Sequence, residues 1–109
     1  MGDFFISPAD LKPLTGTPRW PQLIDVRRQP AFEASDHMLP AAHWRDHLTL
    51  QSWLPTLDPS RPLVIYCLHG EQVSQCTAAR LRARGFPARV LSGGIDGWIA
   101  AGGLLRRRR

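Results

Sequence analysis

Little in this 109-residue sequence points to a membrane, a secreted scaffold or a metal centre. No apolar run approaches the roughly 18 residues that a membrane span needs. The opening Met1-Gly2-Asp3-Phe4-Phe5-Ile6-Ser7 lacks the basic n-region and small-residue cleavage site of a secretory leader. A cytoplasmic protein without a membrane partner is therefore expected. The two cysteines, Cys67 and Cys76, are too few for a disulfide framework and lack the paired spacing of a zinc ribbon. His37, His43 and His47 have no carboxylate or cysteine at ligand spacing, so neither a metal nor a cofactor is expected. Acidic residues are also scarce, with nine against 14 Lys and Arg and a net charge of +5, but Arg106 to Arg109 supply four of those charges. A nearly neutral body with a short basic end gives no footprint for nucleic acid. We expect one domain over 1–105 and a disordered tail over 106–109.

What is present is an alternation of short apolar runs with helical patterns, which signals an α/β domain. Phe4-Phe5-Ile6 reads as a strand, and Ser7-Pro8-Ala9-Asp10 as the capped start of a helix reaching Leu14. Leu23 to Val26 is the next strand, with a helical turn from Gln29 to Glu33. Ala41 to Trp44 is a weaker strand, and Leu48 to Leu57 a helix containing Pro55. Leu63-Val64-Ile65-Tyr66 has no polar alternation, as expected of a strand covered on both faces of a parallel sheet. A helix follows from Val73 to Arg84 and closes at Gly85, then a strand at Ala88 to Leu91, and then Gly93-Gly94 leads into a helix with Trp98 and Ile99.

Chemistry concentrates where the buried strand ends, at Cys67-Leu68-His69-Gly70-Glu71-Gln72-Val73-Ser74. Ligands of parallel sheets collect at the carboxyl ends of strands. A loop curling there into a helix N-terminus turns backbone N–H groups inward, and with the helix dipole these favour a thiolate and equally a negatively charged persulfide. Gly70 allows the backbone reversal such a loop needs. In this reading the amides of Leu68 to Val73 form the cradle and Ser74 caps the helix. On residue type alone, a lone cysteine at a strand end is more often a small buried hydrophobe.

Cys67, Gly70, Ser74, Thr77, Ala78 and Leu81 resemble the active-site pattern of the rhodanese superfamily. Leu23-Ile24-Asp25-Val26-Arg27 with Phe32-Glu33 is similar to its amino-terminal signature, more loosely followed by His37 to Ala42. Leu91-Ser92-Gly93-Gly94-Ile95-Asp96-Gly97-Trp98 is similar to its carboxy-terminal one. The likeness spans roughly residues 4 to 103. It implies a parallel five-stranded α/β sheet flanked by helices on both faces. It also implies a sulfurtransferase whose Cys67 carries sulfane sulfur as a persulfide from thiosulfate or another persulfide donor, small molecule or protein, to a thiol or cyanide-like acceptor. Asp25 and Arg27 either support the active-site loop, as the resemblance implies, or form a plain surface ion pair.

Two departures from the family pattern bear on substrate. Val73 stands where many such loops carry an arginine, and the loop is one residue longer than the common form, with Glu71 placed where an anionic donor would approach. Weak thiosulfate binding is expected. The longer loop also raises phosphatases and arsenate reductases of this architecture, which clamp an oxyanion with an arginine at the position held here by Val73. A non-catalytic interaction domain is the other alternative. His69 is expected to be exposed and auxiliary, and Cys76 either packs against the fold or resolves an oxidised Cys67.

Overall fold

A computed structural model describes residues 3–108. Five strands form a parallel sheet: β1 (Phe5–Ile6), β2 (Gln22–Asp25), β4 (His43–Trp44), β5 (Leu63–Tyr66) and β6 (Ala88–Leu91), in the spatial order β1-β6-β5-β2-β4. β5 is central, with Ile24 and Val90 flanking Ile65 in register. The helices are α1 (Pro8–Leu11), α2 (Gln29–Glu33), α3 (Leu50–Trp53), α4 (Gln72–Ala83) and α5 (Gly94–Ala100). None of them is long and apolar enough to cross a membrane.

The unbroken apolar run of β5 has its explanation in the two cores. Leu63, Ile65 and Cys67 point to one face, against Leu50 and Trp53 of α3 and Ala78 and Leu81 of α4. Val64 and Tyr66 point to the other, among Leu11 of α1 and Ile95 and Trp98 of α5. Side chains alternate across a strand, so a strand covered on both sides must be apolar at every position. All four residues of β5 are fully buried, and each contributes about 1.5–3 kcal/mol by leaving water. The expected five-stranded parallel α/β fold with helices on both faces is the observed one.

Three expectations need correction. Leu48 to Leu57 is not one helix: 3-10 turns at His47–Thr49 and Leu54–Thr56 bracket the single turn of α3. Pro55 has no N–H for a helical bond, and Trp53 and Leu57 are buried without a continuous helix. The strand expected from Ala41 is confined to His43–Trp44, because Ala41 adopts a left-handed φ of 61°. The basic end is not a disordered tail in its described part. Arg106–Arg107 form β7, antiparallel to β3 (His37–Met38). The Arg106 guanidinium donates to the Ala42 carbonyl, Arg108 Nε donates to the Ser35 carbonyl at 2.8 Å, and the Arg108 guanidinium lies over the Phe32 ring. These arginines find carbonyl oxygens and an aromatic face, so their charge does not keep them in solvent. Arg109 lies outside the described residues.

Candidate active site

Cys67 follows β5 directly, at the carboxyl edge of the sheet, and is 7% exposed. The chain then reverses. Gly70 has φ +71°, and Glu71, in non-helical backbone, is the residue that caps α4. Ser74 therefore does not cap the helix. It lies in the first turn on the buried face with Thr77, Ala78 and Leu81, and its Oγ is 3.1 Å from Cys67 Sγ. The same hydroxyl reaches the Glu71 carbonyl at 3.3 Å. Its one proton has two possible acceptors, so it can turn toward the sulfur when that sulfur is negative and toward the carbonyl when it is not.

The loop is locked from outside by α5. The Ile95 and Asp96 N–H groups donate to the Cys67 and Leu68 carbonyls at 3.0 and 3.2 Å. Gly94, at φ +61°, packs against those carbonyls so closely that a Cβ would collide with both. A Cβ on Gly70 would meet the Leu91 carbonyl oxygen at 2.6 Å. The Gly93-Gly94 turn and the cysteine loop thus interlock backbone to backbone, and Gln75 ties the loop to α4 by donating to the Gly70 carbonyl at 3.0 Å. While the carbonyls are held in this way, the N–H groups of residues 68–74 donate to no protein acceptor among the described residues. Of these residues Leu68, Gly70, Val73 and Ser74 are buried or half-buried, and an amide without a protein acceptor beside a cavity is a group a ligand can use.

The cavity at this loop has a volume of about 250 Å³ and is walled by Cys67, Leu68, His69, Glu71, Gln72 and Val73, with Arg28 and Ala31 from the other side. Of the candidate site residues, Gly70, Ser74, Asp25 and Arg27 do not line it. Gly70 and Ser74 shape the loop from behind. Asp25 and Arg27 are not a surface pair, being 0% and 1% exposed. Arg27 grips Asp25 through Nε at 3.0 Å and Nη2 at 2.7 Å, and Nη2 also donates to the His37 carbonyl. The Arg27 guanidinium lies within 6.0 Å of the Tyr66 ring centre, immediately before Cys67 in the chain. Burial raises the Tyr66 phenol well above its ordinary pKa, helped by the nearby Asp25 carboxylate, so Tyr66 stays neutral; its oxygen accepts the Leu39 N–H at 3.2 Å.

Three participants escaped the sequence reading. Arg28 caps α2 with no side-chain bond and opens onto the cavity. Ala31, one turn on, leaves room for it. Asp96 in the first turn of α5 binds His69, Nε2 to Oδ2 2.9 Å, with both side chains exposed. The doubled arginine at 27 and 28 was the available signal: in an extended segment two adjacent side chains point to opposite sides, so when one is buried the other faces out. Cys76 is exposed on α4, on the side away from Ser74 and Ala78, so it neither packs in the core nor faces Cys67. Among the described residues no group of His, Cys, Asp and Glu could hold a metal ion.

A parallel sheet whose central strand leads directly into a cysteine, followed by a glycine-hinged loop and a helix, defines a class of α/β domain. Within it the particular family is shown by comparison. The profile of the Rhodanese-like domain matches residues 7–101. The chain is 36% identical over 77 residues to thiosulfate sulfurtransferase GlpE of Pseudomonas syringae, covering 70% of each protein. It also resembles a rhodanese-related protein from Thermoplasma volcanium (TM-score 0.79, 21% identity, covering 93% of this chain and 95% of that one). A rhodanese-like domain protein from Staphylococcus aureus is similar as well (TM-score 0.75, 24% identity, 86% and 89% covered). The chain belongs to the rhodanese-like domain family.

Proposed function

We propose that the protein is a sulfurtransferase that carries sulfane sulfur as a persulfide on Cys67, taking it from thiosulfate or another persulfide donor and passing it to a thiophilic acceptor. The observation that carries this reading is the pairing of the Cys67 sulfur, at the cavity wall, with a run of uncommitted backbone amides over residues 68–74. The Cys67 thiolate attacks the donor's outer sulfur. A new S–S bond forms, the donor's S–S bond breaks, and the leaving group departs with its electron pair. The terminal sulfur left on Cys67 bears negative charge, which loop amides and the Ser74 hydroxyl can stabilise. An acceptor then attacks that sulfur and Cys67 leaves as thiolate. No external oxidant or reductant is consumed. That the relatives in Pseudomonas are named thiosulfate sulfurtransferases supports the reading.

Phosphoryl transfer is disfavoured because Val73 provides no guanidinium within the loop; the arginine that lines this cavity, Arg28, comes from the connection between β2 and α2. The test is intact mass after exposing the reduced protein to thiosulfate or polysulfide. We expect a gain of one sulfur atom in the wild type and in Cys76→Ser, none in Cys67→Ser, and no hydrolysis of an aryl phosphate. Loading that survives in Cys67→Ser would overturn the assignment, and no loading with any donor would favour an interaction domain.

A further inference from the structure

The active-site cavity carries one charge of each sign, and they come from different segments. Arg28 belongs to the connection between β2 and α2, and Glu71 to the cysteine loop. Both are exposed, and among the described residues neither side chain makes an ion pair or a hydrogen bond, with the other or with any third group. Two free opposite charges close enough to line one cavity, yet not joined, offer a binding site for a molecule that bears both. Leu68, Val73 and Ala31 add an apolar lining beside them. At about 250 Å³ the cavity is below the usual range for drug-sized ligands, which suits a very small donor.

We infer that the preferred sulfur donor is the persulfide of a small α-amino acid, its carboxylate held by Arg28, its ammonium by Glu71 and its terminal sulfur presented to Cys67. This rests on the sulfurtransferase reading and deepens it. A dianion such as thiosulfate meets one attraction and one repulsion here, whereas a zwitterion meets two attractions. The transfer balances without a co-reactant: the Cys67 thiolate bonds to the terminal sulfur of the donor R–S–S–H, the donor's S–S bond breaks, and the proton of that terminal sulfur passes to the departing R–S⁻, giving the Cys67 persulfide anion and the free thiol R–SH.

The test measures the donor concentration dependence of Cys67 loading, by quenched intact mass, with hydropersulfides of cysteine, of cysteamine (no carboxylate) and of 3-mercaptopropionate (no ammonium). The wild type is expected to load from the cysteine compound at the lowest concentration, with KM about three- to tenfold below either truncated donor, the size of one charge-assisted contact at a half-open site. Arg28→Gln should raise KM for the cysteine and mercaptopropionate compounds and, by removing a repulsion, lower it for cysteamine. Glu71→Gln should raise KM for the cysteine and cysteamine compounds but lower it for mercaptopropionate and for thiosulfate, an opposite sign that general damage to the loop could not produce. Loading of all three donors with equal KM, or variants that shift none of them, would overturn this inference alone. Failure of every donor to load Cys67 would overturn the sulfurtransferase reading with it.

Discussion

Asp25→Ala is expected to lower folding stability by about 3–5 kcal/mol, a large part of the roughly 5–15 kcal/mol typical of a whole domain. The reason is what it leaves behind. Arg27 is 1% exposed and its guanidinium would keep only the His37 carbonyl as a hydrogen-bond partner, so a full charge would remain in the interior without its counter-charge. The pair itself need not be strongly stabilising, because two charges lose hydration when they are buried and regain it only through their mutual attraction. Asp25→Leu combined with Arg27→Met should therefore recover most of the loss. Chemical denaturation of the single and double variants checks this, and a double variant as unstable as Asp25→Ala would show that the pair does more than cancel its own charges. Both variants disturb the packing around Tyr66, immediately before Cys67, so sulfur loading should fall in parallel with stability.

Gly94→Ala should have the second large effect, and it should act on activity first. An alanine there has to tolerate φ +61°, and its Cβ runs into the Cys67 and Leu68 carbonyls, which are backbone atoms that cannot swing aside. Gly16→Ala is the natural control, since Gly16 has φ +76° but nothing within 4 Å of a Cβ. The control should lose about 1 kcal/mol from backbone strain alone. Gly94→Ala should lose more and should also slow loading of Cys67 by about 10²-fold, because the loop must shift by a fraction of its own hydrogen-bond length and misplacement of that order is costly to a reacting centre. Equal stability and unchanged loading in the two variants would show that the interlock between α5 and the cysteine loop is not what positions Cys67.

The parts of the fold that the sequence disclosed are those where one physical demand dominates. β5 had to be apolar throughout because both faces are covered, and α4, expected from Val73 to Arg84 and found from Gln72 to Ala83, shows its buried face at helical spacing. The parts that were hidden depend on partners far along the chain. β3 and β7 are two residues each, too short for any periodicity, and a run of arginines reads as a solvated end until the carbonyls of Ser35 and Ala42 are in place beside it. In the candidate site, the loop from Cys67 through Gly70 was legible because a buried strand, a backbone reversal at a glycine and a following helix leave local marks. Ser74 was placed correctly but given the wrong task, since only the geometry shows that Glu71 takes the capping position. Arg28 and Asp96 meet the loop only through the fold, and the loop residues alone could not reveal them.

These assignments bear on how the site manages without a loop arginine. In the proposed transfer the negative sulfur is served by amide dipoles and by one hydroxyl, in place of a fixed charge within the loop. The central claim concerns the amides, and the most direct measurement is a crystal structure of the protein after sulfur loading. The account predicts one extra sulfur on Cys67 Sγ, with its terminal atom within hydrogen-bonding distance of several backbone nitrogens between Leu68 and Ser74. An added sulfur on Cys76, or one on Cys67 turned toward the core and away from those nitrogens, would contradict it.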